Sequence, residues 1–105
     1  MLNLLSIHLQ AILPEKNIYR DYQILVGKDL FKEWTISVIN GRIGKTGKLR
    51  QYSFLTLEDL QKKLFELIKK RKSSHKRIGI DYKIVSYNAS SERAIEHLIN
   101  DLILT

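Results

Sequence analysis

The feature that most constrains the fold is a change in the spacing of apolar residues along the chain. In the first half, apolar and polar residues alternate in stretches separated by turn-forming residues, which is the period of half-buried β-strands. These stretches cover residues 5–11, 18–26, 31–39 and 49–54. After them, the spacing becomes that of one amphipathic helix. Its apolar stripe consists of Leu57, Leu60, Leu64, Leu67 and Ile68. The sequence therefore predicts an antiparallel meander followed by a helix, with Thr56 as the N-cap.

One α+β domain accounts for residues 1–105. This length suits a single domain with one hydrophobic core that needs no disulfide or metal site for stability. A loop at 73–77 and a last alternating stretch at 78–84 follow the helix, and residues 88–105 are predicted to form a C-terminal helical extension. The two periods predict a shared core that contains Tyr22, Ile24, Trp34, Ile36, Leu60, Leu64 and Leu67.

The C-terminal helix carries an apolar stripe that must be buried. It could close over the sheet beside the N-terminal strand, or it could pair with a second copy of the chain. We favour the first arrangement, and so a monomer, because the apolar segments at both termini would then cover each other. A homodimer through this helix is the alternative.

Positive charge is concentrated in one third of the chain. Residues 42–77 hold twelve Lys and Arg against three acids, whereas the remainder holds six against eight, within a net charge of +7. Such a stretch is typical of proteins that bind an anionic partner, which would be nucleic acid, phosphate or an acidic protein. A lysine-rich surface that serves only solubility is the alternative for the helical part.

The glycine-rich segment 40–48 opens this basic stretch. It holds three of the five glycines, which predicts tight turns with positive φ. The N–H groups of such a turn can form an anion-binding concavity, to which basic side chains add charge. The candidate phosphate-binding residues here are Asn40, Gly41, Arg42, Lys45, Lys48 and Arg50. If the end of the helix approaches the turn, the basic patch extends to Lys62, Lys63, Lys69, Lys70, Arg71, Lys72, Lys76 and Arg77. The candidate site residues among these are Lys69, Lys70, Arg71, Lys76 and Arg77.

Three segments, 17–22, 29–34 and 41–47, resemble the WGR domain, a family that occurs in poly(ADP-ribose) polymerases and in small bacterial proteins. The most specific of them reads Gly-Arg-Ile-Gly-x-x-Gly and follows a strand that carries Trp34. The resemblance covers about residues 5–85 and implies a curved antiparallel sheet with a helix packed across it. It also implies binding to the sugar-phosphate end of a DNA strand at a break, and contacts with neighbouring domains, as in the polymerases.

The chain departs from the family at the tryptophan of the Trp-Gly-Arg tripeptide. Asn40 stands at that position, while Gly41 and Arg42 match. Asn40 cannot stack on a terminal nucleotide, a contact worth about 1–3 kcal/mol. Arg42 can still bind a phosphate through its planar fork. We therefore expect phosphate binding without a strong preference for strand ends.

The sequence contains no catalytic constellation. Residues 44–46 (Gly-Lys-Thr) lack the upstream spacing and the following helix of a nucleotide-binding P-loop. The three histidines have no ligand spacing and cysteine is absent, so we expect no metal, no cofactor and no disulfide. Ser73 and Ser74 do not form a triad merely because they adjoin His75.

Together these features predict a non-enzymatic module that binds nucleic acid, DNA in preference to RNA, through phosphate contacts. The alternative is a protein-interaction or regulatory module that docks an acidic or apolar partner. The apolar N-terminus lacks the basic residue and the cleavage site of a signal peptide, and no stretch reaches the length of a membrane span. We therefore expect a cytoplasmic protein that does not enter a membrane.

Overall fold

The computed structural model describes residues 2–31 and 33–89, which form one antiparallel sheet with a helix packed against it. The strands are β1 (Leu2–Leu13), β2 (Ile18–Lys28), β3 (Trp34–Arg42), β4 (Lys48–Phe54) and β5 (Lys83–Ala89). A 3₁₀ turn at Pro14–Lys16 joins β1 to β2, and the helices α1 (Leu57–Lys72) and α2 (His75–Ile78) lie between β4 and β5. The predicted α+β class is confirmed.

The sheet is a meander to which the last strand is added at the far edge. The strand order is β4-β3-β2-β1-β5, so the chain must pass from one edge of the sheet to the other after β4. Helix α1 has 16 residues and is therefore about 24 Å long at 1.5 Å per residue. Four strand spacings of about 4.8 Å amount to about 19 Å. The helix is thus long enough to carry the chain to the free edge of β1.

The core lies between one face of the sheet and α1. Cross-strand partners share a face, and the pairs Ile24–Val38 and Val26–Ile36 bring apolar side chains together under the helix. Six of the seven predicted core residues belong to this buried cluster, and the seventh, Trp34, is partly buried and packs against it. Lys28 Nζ lies 4.2 Å from the centre of the indole ring. The prediction of a shared core is confirmed.

Helix α1 begins and packs as its sequence predicts. Thr56 is the N-cap, and its Oγ1 accepts a hydrogen bond from Asp59 N at 3.1 Å. The residues that the helix buries are Leu60, Leu64, Leu67 and Ile68. Because this stripe faces the sheet, the basic residues of α1 lie on its flanks and on the side that points away from the sheet.

The predicted start of β3 at residue 31 is wrong, because the side chain of Asp29 accepts hydrogen bonds from backbone N–H groups that precede the strand. Asp29 Oδ1 accepts hydrogen bonds from Phe31 N and Glu33 N, each at 2.9 Å. Asp29 N also donates to Glu33 O at 3.1 Å. These bonds close a tight turn, and the strand begins only at Trp34.

The segment between α1 and β5 also differs from its prediction. The expected loop at 73–77 contains most of α2, whose first N–H, that of His75, donates to Asp81 Oδ1 at 2.8 Å. Gly79 then ends α2 in the left-handed conformation, at φ 90°. The last strand therefore begins at Lys83 rather than at residue 78.

The first two residues of the predicted C-terminal extension, 88 and 89, belong to β5. The helix predicted from about residue 90, and with it the homodimer contact considered for it, lies outside the described residues. Among the helices of residues 2–31 and 33–89, none is long and apolar enough to cross a membrane.

Candidate functional site

A groove with a volume of about 280 Å³ lies between α1 and the strands β3 and β4. Asn40 pairs with Lys48 across these strands, and Val38 pairs with Arg50, so all four side chains share the face on which the helix packs. We call this feature the basic groove. Its polar lining consists of Asn40, Lys48, Arg50, Lys63, Glu66, Lys70 and Arg71.

The helical side of the basic groove follows from residue spacing along α1. Lys63, Glu66 and Lys70 are three and four residues apart, which places them on one side of the helix. Lys63 Nζ lies 3.4 Å from Glu66 Oε1 and 4.8 Å from the centre of the Tyr52 ring. Its charge is therefore partly neutralised within the groove.

The other four cations of the basic groove form no ion pair with any carboxylate in the described part of the chain. They come from two elements, since Lys48 and Arg50 belong to β4 whereas Lys70 and Arg71 end α1. Like charges repel, so their convergence around one groove favours an anion between them.

Aromatic rings hold Arg71 in place. Its guanidinium carbon lies 4.4 Å from the ring centre of Tyr22 and 5.6 Å from that of Tyr82. The two rings meet edge to face, with their centres 6.1 Å apart. Burial raises the pKa of the Tyr22 phenol, although the positive charge of Arg71 opposes this shift. Arg71 thus has a fixed orientation against neutral aromatic side chains.

Two buried polar atoms among the described side chains lack a hydrogen-bond partner, and both belong to residues that line the basic groove. They are Asn40 Oδ1 and Arg71 Nε. A buried polar group without a partner costs about 1–3 kcal/mol, so such atoms are uncommon in folded proteins. Both atoms have almost no accessible surface, so a ligand could reach them only if neighbouring side chains moved.

The side chain of Arg42, in the glycine-rich turn, is hydrogen-bonded to Asn17. Arg42 Nη1 and Nη2 donate to Asn17 O and Asn17 Oδ1 at 3.3 and 3.1 Å. The guanidinium also lies 5.1 Å from the centre of the Tyr19 ring. Arg42 and Lys45 line a smaller hollow of about 130 Å³ that is separate from the basic groove.

The three glycines of this turn serve two different needs. Gly44 has a φ of +81°, as the prediction of positive φ requires. Gly41 and Gly47 instead allow two segments of backbone to approach closely, because a Cβ on Gly41 would lie 2.8 Å from Gly47 Cα. The expectation of positive φ thus holds for one of the three.

The structure divides the predicted site residues into three sets. Those that line the basic groove are Asn40, Lys48, Arg50, Lys70 and Arg71. Those that line the smaller hollow are Gly41, Arg42 and Lys45. Those that line neither are Lys69, Lys76 and Arg77, and the last of them donates from Nη2 to Lys70 O at 2.8 Å.

Sequence reasoning did not anticipate the aromatic support of Arg71. Tyr22 and Tyr82 follow the alternation of strand residues, which indicates only that they are packed. Lys63 belongs to the predicted extension of the basic patch, and it lies on the same side of α1 as Lys70 because the two are seven residues apart. Elsewhere, within residues 2–31 and 33–89, no group of three or more His, Asp or Glu residues could hold a metal ion.

The fold and the groove define an α+β domain in which α1 and the strands β3 and β4 enclose a cationic cleft. Comparison with protein-family models, with curated proteins and with solved structures gives no match to this chain. The resemblance to the WGR domain therefore rests on the sequence segments described above.

Proposed function

We propose that this protein is a non-enzymatic, WGR-type module that binds nucleic acid by holding backbone phosphates in the basic groove. The convergence of four cations without carboxylate partners, Lys48, Arg50, Lys70 and Arg71, carries the proposal. Phosphate contacts of this kind supply much of the affinity of proteins for nucleic acid, independently of base sequence. The smaller hollow at Arg42 and Lys45 is not part of this site, because it is lined by Asp21, Gln23 and Ile39, which lie on the face of the sheet opposite to α1.

The arrangement of Arg71 favours phosphate binding over a role in solubility. A cation that serves only solubility needs full exposure, whereas the guanidinium of Arg71 is half-buried between rings and has a desolvated Nε. Arginine binds phosphate through two parallel N–H groups, and an orientation fixed in advance lowers the entropy cost of that contact.

Fluorescence-anisotropy titrations of labelled oligonucleotides test this proposal. The ligands are a single DNA strand, a blunt duplex, a duplex with a 5′-phosphorylated nick, and RNA. The groove variant is Arg50→Ala/Lys70→Ala. The control variant is Lys62→Ala/Lys83→Ala, which removes the same charge from exposed positions that do not line the groove.

We expect the groove variant to bind at least tenfold more weakly, because each hydrogen bond to a charged group contributes about 1.5–3 kcal/mol. The control variant should stay within about threefold of the wild type, since a distant exposed charge acts only through screened Coulomb attraction. Equal affinities of the two variants, or no binding by the wild type to any of the four ligands, would refute the proposal.

A second candidate function is docking of a partner protein through an apolar surface. Three large apolar side chains are exposed at the end of the sheet opposite to the glycine-rich turn: Leu30 (91%), Phe31 (86%) and Leu55 (82%). Exposed apolar clusters of this kind often mark protein contacts. A Leu30→Ser/Phe31→Ser variant should bind oligonucleotides as the wild type does, which separates this function from the first.

A further inference from the structure

Leu30, Phe31 and Leu55 lie in two turns at the same end of the sheet, and we call these three residues the apolar tip. Leu30 and Phe31 belong to the turn between β2 and β3, and Leu55 joins β4 to α1. The two turns are neighbours, because Trp34 at the start of β3 pairs with Phe54 at the end of β4. With side chains that are 82% to 91% exposed, the apolar tip is an open surface.

The turn that carries Leu30 and Phe31 is closed by hydrogen bonds and does not need apolar side chains. Asp29 Oδ1 accepts hydrogen bonds from Phe31 N and Glu33 N, each at 2.9 Å. These bonds use backbone groups, so the polar residues that are common in turns would serve equally well. Because the backbone is held in one conformation, a partner that binds the two apolar side chains loses less entropy in ordering the turn.

Leu55 is also exposed without a structural need. It immediately precedes Thr56, the N-cap of α1, where an apolar residue often packs against the fourth residue of the helix. That residue is Leu60, which is 0% exposed in the core, whereas Leu55 is 82% exposed. Leu55 therefore does not make this contact, and its side chain is free to contact a partner.

The apolar tip lies in a locally acidic part of this basic protein. Residues 28–34 and 55–59 contain four acids and two lysines, whereas the whole chain has a net charge of +7. The basic groove is at the other end of β3, since the six residues from Trp34 to Asn40 span about 20 Å at about 3.3 Å each. The two ends of the sheet therefore differ in charge, and the acidic end does not favour an anionic partner.

Three carboxylates near the apolar tip form no ion pair with another residue in the described part of the chain. They belong to Glu33, Glu58 and Asp59. The last two also stabilise the N-terminus of α1 through the helix dipole, but both remain exposed. Protein interfaces commonly have an apolar centre and a charged rim, and complementary charges at the rim select the partner. The carboxylates thus favour a partner with a basic rim.

We propose that the apolar tip docks a segment of a partner protein whose apolar residues are flanked by Lys or Arg. The three apolar side chains contact the apolar centre of that segment, and Glu33, Glu58 and Asp59 attract its basic rim. This inference rests on the second candidate function and names the chemistry of the partner. A lipid surface is disfavoured, because membrane surfaces that face the cytoplasm carry negative charge.

Trp34 provides a local signal for docking. It is the single tryptophan of the chain and lies beside the apolar tip, so its fluorescence should change when a ligand covers the tip. A ligand in the basic groove lies about 20 Å away along β3 and should leave this emission unchanged. The signal therefore separates binding at the tip from binding in the groove.

Three synthetic peptides without tryptophan serve as probes. They form amphipathic helices with the same leucine stripe and differ only in their polar residues, which are lysine, glutamine or glutamate. The tip variant is Leu30→Ser/Phe31→Ser. The control variant is Leu49→Ser/Val85→Ser, which removes apolar side chains that are 60% and 50% exposed at positions outside the tip.

We expect the lysine peptide to change Trp34 emission until it saturates, and to bind about tenfold more tightly than the glutamate peptide, because several rim charges then attract instead of repelling. The glutamine peptide should lie between them, and added salt should narrow the difference. The tip variant should bind the lysine peptide at least about tenfold more weakly than the wild type, since it loses two large apolar contacts. The control variant should bind as the wild type does.

Equal affinities of the three peptides at the tip would overturn this inference and leave docking of an apolar partner as a function. Unchanged Trp34 emission with all three peptides would refute the second candidate function as well. Equal affinities of the tip variant and the control variant for the lysine peptide would place the binding elsewhere and overturn the inference. The comparison of the three peptides uses the wild type alone, so it does not depend on the folding of a variant.

Two further measurements address the other occupants of such a surface. Lipid vesicles that change Trp34 emission, when the lysine peptide does not, would assign the tip to a membrane and overturn the inference. Self-association of the wild type in light scattering that the tip variant abolishes would assign the tip to a second copy of the chain, with the same consequence. Oligonucleotide binding by the tip variant tests the basic groove independently of all these results.

Discussion

The salt dependence of strand binding measures how many phosphates the basic groove neutralises. Four of its cations, Lys48, Arg50, Lys70 and Arg71, have no described carboxylate partner, whereas Lys63 lies 3.4 Å from a carboxylate oxygen of α1. Counterion release from a single strand contributes about −0.7 to the log–log slope per phosphate contact, so four contacts predict a slope of about −2.8. The groove variant retains two of the four and should give about −1.4.

These slopes differ enough for a direct test. Between about 50 and 200 mM salt, a slope of about −2.8 corresponds to a loss of about fiftyfold in affinity, and a slope of about −1.4 to a loss of about sevenfold. Anisotropy titrations of one labelled single strand at four or five salt concentrations measure both values.

The control variant Lys62→Ala/Lys83→Ala should keep the wild-type slope, because neither lysine lines the groove. Equal slopes for the groove variant and the control would show that phosphates do not contact the groove. A wild-type slope near zero would instead favour docking of an apolar partner.

Three further predictions concern the stability of the fold. Leu64→Ala removes a side chain with 0% exposure and should lower the free energy of unfolding in urea by about 2–5 kcal/mol, whereas Leu49→Ala, at 60% exposure, should change it by less than about 0.5 kcal/mol. Gly41→Ala should lower the melting temperature, since its Cβ would lie 2.8 Å from backbone at Gly47; an unchanged melting curve would show that the turn opens freely. Burial of Asp21 opposes its ionisation, but hydrogen bonds from two neighbouring side chains outweigh this effect and hold the pKa below its ordinary value of 3.8. Its ionised form therefore stabilises the fold above that value and loses this effect as the pH falls through the lowered pKa, so Asp21→Asn should show a flatter decline of unfolding free energy in acid.

Local patterns account for most of the fold. Alternation along β1 to β4 determines which side chains face the helix, because a strand has only two faces and only one can be buried under α1. The helical stripe and the Thr56 cap are equally local, and both are confirmed. The predicted boundaries fail where a polar side chain competes for backbone groups, as Asp29 and Asp81 do.

The α+β class, the shared core and the third of the chain that carries the positive charge all follow from the amino-acid order, because periodicity and composition are properties of neighbouring residues. Which cations converge depends instead on how the helix packs on the sheet. The packing of α1 on β3 and β4 brings Arg71 into the same groove as Asn40 and leaves one buried atom of each without a partner. Arg42 is instead hydrogen-bonded to Asn17. In the sequence, nothing distinguishes Arg42 from Arg71 in this respect. Such contacts depend on how distant elements are placed against one another, and no spacing along the chain records that placement.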